Sequence, residues 1–438
     1  WELVLEIDEN TGVVDLVMEP GNPDVLYAAS YQRRRHTWVL IDGGPGSGIH
    51  KTSDGGRTWT ELTSGLPGVD MGRIGLAIAQ KQPSTVYAII EAAQGKGGFF
   101  RTTNSGMTWK KMSDYVAGSP QYYNEIVPDP VNPDRVYSMD TFLQVTEDAG
   151  KTWRRLSVRA KHVDDHALWI DPVHTDHLRA GCDGGIYESY DQGATWRYYT
   201  NLPVTQFYRV AVDYDEPFYN VYGGTQDNNT IGGPSRTTYA HGASNREWFF
   251  TLGGDGFEPA VDPTNPDIVY CQWQYGNLVR YDRATGETLD IQPQPEEGEV
   301  LKWNWNSALL LSPHDPARLY YACQKVFRSD DRGHSWTRIS GDLTQQVDRN
   351  ELEVMGTVWG VDAVAKNNST SFWGSIISLS ESPLQEDLLY AGTDDGLIQV
   401  TEDAGGTWTK REKFGDVPAY SYVSDVEADR FDADVVYA

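Results

Sequence analysis

The stretch Thr146-Glu147-Asp148-Ala149-Gly150-Lys151-Thr152-Trp153 decides how this chain is read. Its pattern is Ser/Thr, any, Asp, any, Gly, any, Ser/Thr, Trp. The pattern returns as Thr52 to Trp59, Ser189 to Trp196, Ser329 to Trp336 and Thr401 to Trp408, and as Thr102 to Trp109 with Asn104 in the Asp place. The chemistry of such an octamer is local. A short carboxylate accepts hydrogen bonds from the backbone amides of its own turn, Gly takes a positive φ, and Trp supplies a large apolar surface to bury. Asp54, Asn104, Asp148, Asp191, Asp331 and Asp403 are therefore read as turn formers. Trp59, Trp109, Trp153, Trp196, Trp336 and Trp408 are read as rings that fix each turn against a neighbouring sheet. Loop carboxylates mostly satisfy backbone donors, so this structural role is preferred over calcium binding or catalysis at the octamers.

Working outward, the first three gaps between these tryptophans are 50, 44 and 43 residues. The gap of 140 fits three units of that size, two of them without the octamer, and the gap of 72 fits one unit plus an insertion near Ser340 to Ser371. A second pattern lies upstream, as in Asp129-Pro130-Val131-Asn132-Pro133-Asp134-Arg135-Val136-Tyr137, with relatives at Glu19 to Tyr27 and Asp262 to Tyr270. Apolar runs on both sides of an Asn-Pro-Asp stretch mark a turn between strands. Each unit thus reads as four short strands, the octamer turning the third into the fourth. Four strands in roughly 40 to 50 residues, repeated, is the signature of a propeller blade.

The chain is therefore expected to be all-β, a β-propeller with at least eight four-stranded blades. The units are placed at 14–62, 72–114, 123–157, 164–201, 206–251, 255–294, 303–344 and 369–414. Trp1 to Val4 reads as the closing strand of an earlier blade and Ala419 to Ala438 as half of a later one, so the chain is expected to be a piece of a longer protein.

Composition agrees. The 438 residues include 43 Gly and 22 Pro, which suits many strands joined by turns, and 12% aromatics, ample for a core. The net charge of −27 excludes a nucleic-acid backbone as partner. Cys182, Cys271 and Cys323 each end an apolar run and read as small buried hydrophobes rather than a disulfide framework. No run has the length and apolarity of a transmembrane span, so no membrane insertion is expected of this segment.

The octamers resemble the Asp boxes of the bacterial-neuraminidase-repeat propellers. Together with Gly223 to Thr230, Gly253 to Phe257 and Gly341 to Thr344, they make the chain similar to the sortilin-like, ten-bladed propellers and to secreted bacterial glycosyl-hydrolase-like proteins. The resemblance implies about ten blades in the whole protein, a secreted, periplasmic or cell-surface location, and a protein or carbohydrate partner. A binding or scaffold module is the expected function, and the alternative is a xyloglucanase-like glycoside hydrolase. A sialidase is not expected, because no arginine-centred carboxylate site can be assembled; Arg73 in Gly72-Arg73-Ile74-Gly75 is a poor substitute for its opening motif.

Candidate ligand residues come from aligning the units on the Asp-Pro turn. Seven residues before it stand Tyr122, Asp164, Asp255 and Trp305, among others. Equivalent inner-strand positions form rings about a propeller axis, so these four, with His162 and His166 beside Asp164, are the candidate ligand-binding residues. Arg209 is a candidate internal counter-charge. Asp227, Asn228 and Asn229 offer an oxygen-rich loop for calcium or another divalent ion, against a plain turn role. No cofactor is required by this reading, and no catalytic residue is singled out among 63 acidic side chains.

Overall fold

The computed structural model describes residues 1–202 and 204–438. It contains eight four-stranded antiparallel sheets that follow one another along the chain, each built from consecutive strands except for one hairpin insertion in the first. This is the blade repeat of a multi-bladed β-propeller. The only other sheets among the described residues are two-stranded: a hairpin, Arg34–His36 with Val39–Ile41, inserted between the second and third strands of blade 1, and the pair Glu427–Ala428 with Val436–Tyr437. Trp1 to Asp8 form no strand.

The chain divides into two compact units. Unit 1 holds residues 1–203 with 350–369, and its blades 1 to 4 begin with the strands Thr11–Met18, Met71–Ile78, Ile126–Pro128 and Asp165–Ile170. The insertion expected near 340–371 thus gives 350–369 to unit 1, where Val354, Met355 and Trp359 pack on Trp38, Val39 and Ile41 of the blade 1 hairpin. Unit 2 holds 204–349 with 370–438, and its blades 5 to 8 begin with Phe207–Val212, Ala260–Val261, Leu309–Leu311 and Ile376–Glu381.

In both units the core is a series of layers between successive blades. The strand Val86–Ala92 shows why its sequence is apolar without alternation. Val86, Ala88 and Ile90 face Tyr27, Ile49 and Ile74, whereas Tyr87 and Ile89 face Phe99, Ile126 and Val136. A strand packed on both faces has no solvent side to mark with polar residues. In unit 2 the same layering joins Tyr270, Leu278, Leu319 and Tyr321, then Tyr320, Leu389 and Ala391. Cys271 and Cys323 are free, buried thiols and Cys182 is a free, partly buried one.

The octamers are clamps between blades. In the Thr146 copy, Thr146 Oγ1 donates to Asp148 Oδ1 at 2.8 Å, while Asp148 also accepts from the Thr152 amide at 2.9 Å and the Thr152 hydroxyl at 2.7 Å. Residues four and five of every copy are left-handed: Ala149 at φ 61 and Gly150 at φ 90 here. The fifth position must be Gly for a second reason. A Cβ on Gly193 would stand 2.7 Å from Leu156 of the preceding blade. The rings then reach the same neighbour. Trp196 Nε1 donates to Ser157 O at 3.0 Å, Trp336 Nε1 to Ile291 O at 2.7 Å and Trp408 Nε1 to Ile339 O at 3.0 Å. Truncating Asp148→Ala removes the acceptor for two amides and two hydroxyls. It is expected to lower stability by about 1–2 kcal/mol in thermal or urea unfolding.

The upstream turns work alike. Asp129 Oδ1 accepts from Val131 N at 2.8 Å and Asn132 N at 2.9 Å, and Asp262 Oδ1 from Thr264 N at 2.8 Å and Asn265 N at 3.1 Å. The carboxylate replaces backbone partners that the turn cannot supply.

Candidate functional site

In unit 1 the segment leading into the first strand of blade 4 places its side chains alternately. Asp165 turns inward, where Lys161 Nζ meets its Oδ1 at 2.5 Å; the two side chains are 0% and 1% exposed. This buried ion pair anchors the segment, and Asp164 and His166 on either side face outward. Asp164 is held in the left-handed region at φ 64, a strained conformation for a residue other than Gly, and accepts from the Tyr123 hydroxyl. The Tyr123 ring stacks on His166, with centroids 5.1 Å apart. His166 Nε2 lies 3.1 Å from Asp183 Oδ1, and the Asp183 amide donates to Asp164 O at 3.2 Å. Asp164, Tyr123, His166 and Asp183 are thus one connected group. His162 packs its ring on Gly184 and its Nδ1 lies 2.9 Å from Val163 O.

Next to this group stands Arg73, from the inner strand of blade 2. Its guanidinium donates to Gln121 O at 2.7 Å and pairs with Glu125 Oε1, and its carbonyl accepts from Asn124 Nδ2 at 3.0 Å. Glu125 Oε2 is buried and has no hydrogen-bond partner. Burial raises the Glu125 pKa above the ordinary glutamate value, with Arg73 and His166 pulling the other way. Asp15, on the inner strand of blade 1, accepts from Leu76 N at 2.7 Å; burial raises its pKa too, and Arg73 again opposes. Arg73 thus shares its charge between Asp15 on an inner strand and Glu125 just before one.

The wall beside this cluster comes from the blade 1 hairpin. Arg35 donates to Tyr122 OH at 3.3 Å, Gln121 Oε1 at 3.4 Å and Ser369 O at 3.2 Å. Tyr122 remains 43% exposed, which leaves its ring available as a flat apolar surface. Behind Arg73 lies a buried acidic pair. Tyr31 OH donates to Asp42, and Glu91 Oε2 accepts from Arg73 N at 3.3 Å. Burial, reinforced by the neighbouring Asp42 charge, pushes Glu91 up to about 8.

In unit 2, Asp255 is a turn lock. It is 4% exposed and accepts from Gln274 Nε2 at 2.6 Å and from the Asp227 amide. Asp227 and Asn229 have φ of 59 and 73, and Thr225 N and Oγ1 donate to Asn229 O at 3.0 and 2.6 Å. The 225–229 loop is thereby tied by its own groups and by Asp255. Among the described residues no group of three or more His, Cys, Asp or Glu side chains is arranged to hold a metal ion. Trp305 packs edge-on to Tyr275 and Phe257, with centroids 5.1 and 6.1 Å away. Arg209 exerts its charge on Glu258, whose pKa burial raises and which Asp425 raises further.

Sequence reasoning missed Asp15, Glu125, Glu258 and Asp425, although all four stand at one aligned position, three residues after the ring that was singled out. The missing signal was the repetition of an acid at that position near an arginine, Arg73 in one unit and Arg209 in the other.

No family model matches the chain. Over 345 residues, 65% of the chain, it is 24% identical to the xyloglucanase Xgh74A of Acetivibrio thermocellus and covers 40% of that protein. Over 338 residues, 64% of the chain, it is 23% identical to a xyloglucanase of a Paenibacillus species and covers 32% of it. The chain therefore spans well under half the length of these curated relatives. Similar solved structures include a GH74 enzyme of Niastella koreensis, at 14% identity and TM-score 0.31, covering 96% of this chain and 70% of that one. They also include YCF48 from Cyanidioschyzon merolae, at 12% identity and TM-score 0.31, covering 72% and 93%. No helix among the described residues is long and apolar enough to cross a membrane.

Proposed function

We propose that the chain is part of a glycoside hydrolase that acts on a polysaccharide outside the cytoplasm, with the unit 1 cluster as its sugar site. The observation that carries this reading is Glu125. One of its oxygens is paired with Arg73, the other is buried without a partner, and burial favours its protonated form. Cleavage of a glycosidic bond needs one carboxylic acid that protonates the leaving oxygen and one carboxylate that activates water or attacks the sugar. Glu125 suits the first role. Asp164 and Asp183, fixed by Tyr123 and His166, suit the second. Tyr122 and Tyr123 supply rings on which a sugar can stack.

The similarity to two xyloglucanases supports this reading over a plain binding module and makes xyloglucan the first substrate to try. The test is release of reducing ends. Wild-type chain is expected to depolymerise xyloglucan and to leave sialosides intact. Glu125→Gln is expected to lower kcat by about 10²–10⁴-fold, the usual contribution of a general acid, with KM little changed. The alkaline limb of the wild-type kcat profile should lie above pH 4.5, the ordinary glutamate value. Undiminished turnover by Glu125→Gln contradicts the assignment of the acid. Tight binding of xyloglucan with no turnover by wild type replaces the hydrolase reading with that of a binding or scaffold module.

A further inference from the structure

Beyond the outermost strand of blade 6, Glu287–Asp290, residues 291–296 lie against the octamer of blade 7, and the two segments flank an open pocket of about 370 Å³. That volume falls within the range of small-ligand sites. The apolar part of its lining is Ile291, Phe327 and Trp336; the polar part includes Gln292, Gln294, His334 and Arg338. The polar groups are held in place. Gln294 Nε2 donates to Gln292 O at 2.9 Å, and Gln292 Nε2 donates to Tyr275 O at 3.4 Å. His334 Nε2 lies 3.1 Å from Arg280 NH1, which can only donate, so that nitrogen accepts and Nδ1 carries the ring proton. Arg338 pairs with Glu299 at 2.7 Å and Glu296 at 3.3 Å, and its Nε is buried with no hydrogen-bond partner.

We propose that this pocket binds a neutral sugar residue of an oligosaccharide or polysaccharide. A sugar presents an apolar face to an aromatic ring and, around its edge, hydroxyls that both donate and accept. The fixed Gln292 and Gln294 amides and the His334 ring, beside the partly buried Trp336 ring, match that pattern. Anions are disfavoured by Asp290 and Glu296 in the lining and by the net charge of −27. A metal ion is disfavoured because Arg338 stands among the few carboxylates present. The site lies within unit 2, uses none of the residues of the unit 1 cluster, and stands independently of the hydrolase reading.

The probes are cellotetraose, mannotetraose and xyloglucan heptasaccharide, titrated by calorimetry into the full chain, with hydrogen exchange read at residues 290–296 and 333–338. Wild type should bind at least one of them and gain protection in those two segments. The double variant Gln292→Ala/His334→Ala and the filling variant Gln294→Trp should weaken that binding at least tenfold without shifting Tm. Binding by none of the three probes, unchanged affinity in both pocket variants, or protection confined to other segments overturns the proposal. So does displacement of the sugar by glucuronate or calcium at equal concentration.

Discussion

Trp153→Ala is expected to lower the unfolding free energy by about 3–5 kcal/mol, the usual cost of deleting a large packed aromatic. The ring is partly buried and joins two blades. It stacks on Tyr115 with centroids 4.3 Å apart and meets Phe99 edge-on at 5.0 Å, and its Nε1 donates to Ser113 Oγ at 3.3 Å. All three partners belong to the part of unit 1 that precedes blade 3. Removing the ring leaves a void between sheets that cannot close without moving one of them. Urea unfolding should show a lower midpoint for Trp153→Ala than for Asp148→Ala, because the carboxylate serves only its own turn. Equal and negligible shifts in the two variants would show that the octamer does not hold blades together.

The second large effect depends on pH. Glu91 has an ordinary value of 4.5 and is pushed up to about 8 in the fold, first by burial and then by Asp42. In this window the folded chain holds a proton that the unfolded chain has released. Stability is therefore fully present below about pH 4.5 and is lost as pH rises towards 8. At about 1.4 kcal/mol per pH unit, the loss is on the order of 4–5 kcal/mol across the window. Asp394, pushed up to about 7 by burial, adds a loss of the same sign in unit 2. Glu91→Gln keeps the acceptor for Arg73 N and removes the titration. Its Tm should exceed that of wild type at pH 8, the gap closing towards pH 5. A pH-independent gap, or a less stable variant at pH 8, contradicts the account.

The blade repeat was legible in the chain because its determinants are local. An Asp that bonds amides three or four residues away, and a Gly with positive φ, leave their marks within one octamer. The partners of the octamer were not legible, because Phe99 and Trp153 lie far apart in sequence and no periodicity links them. Strand Val86–Ala92 reads as a plain apolar run, and only the structure tells which of its residues faces which neighbour.

The structure brings some of the aligned candidates together and ties up others. Asp164 and His166 do share a cluster, and Tyr122 stands beside it. Asp255 and Trp305 belong to the other unit, and Asp255 spends its carboxylate on the Asp227 amide and Gln274. The acids at or just before the inner strands sit three residues further along than the aligned ring. Part of the reason is that the register shifts at bulges between Val13 and Asp15, Met71 and Ile74, and Asp165 and Ala167. A bulge changes which side chains of an inner strand share a face without any change in composition, so the sequence alone does not tell which aligned position carries the acids. Arg73 looked like a failed sialidase residue; in the fold it is the cation between Asp15 and Glu125.

The most direct test of the sugar site is a crystal structure of Glu125→Gln soaked with xyloglucan heptasaccharide. The account predicts a sugar ring against Tyr122 or Tyr123, with a glycosidic oxygen within hydrogen-bond reach of residue 125 and Asp164 or Asp183 facing the same linkage. Oligosaccharide density elsewhere on the chain, with the cluster of Tyr123, Glu125, Asp164, His166 and Asp183 unliganded, would contradict it.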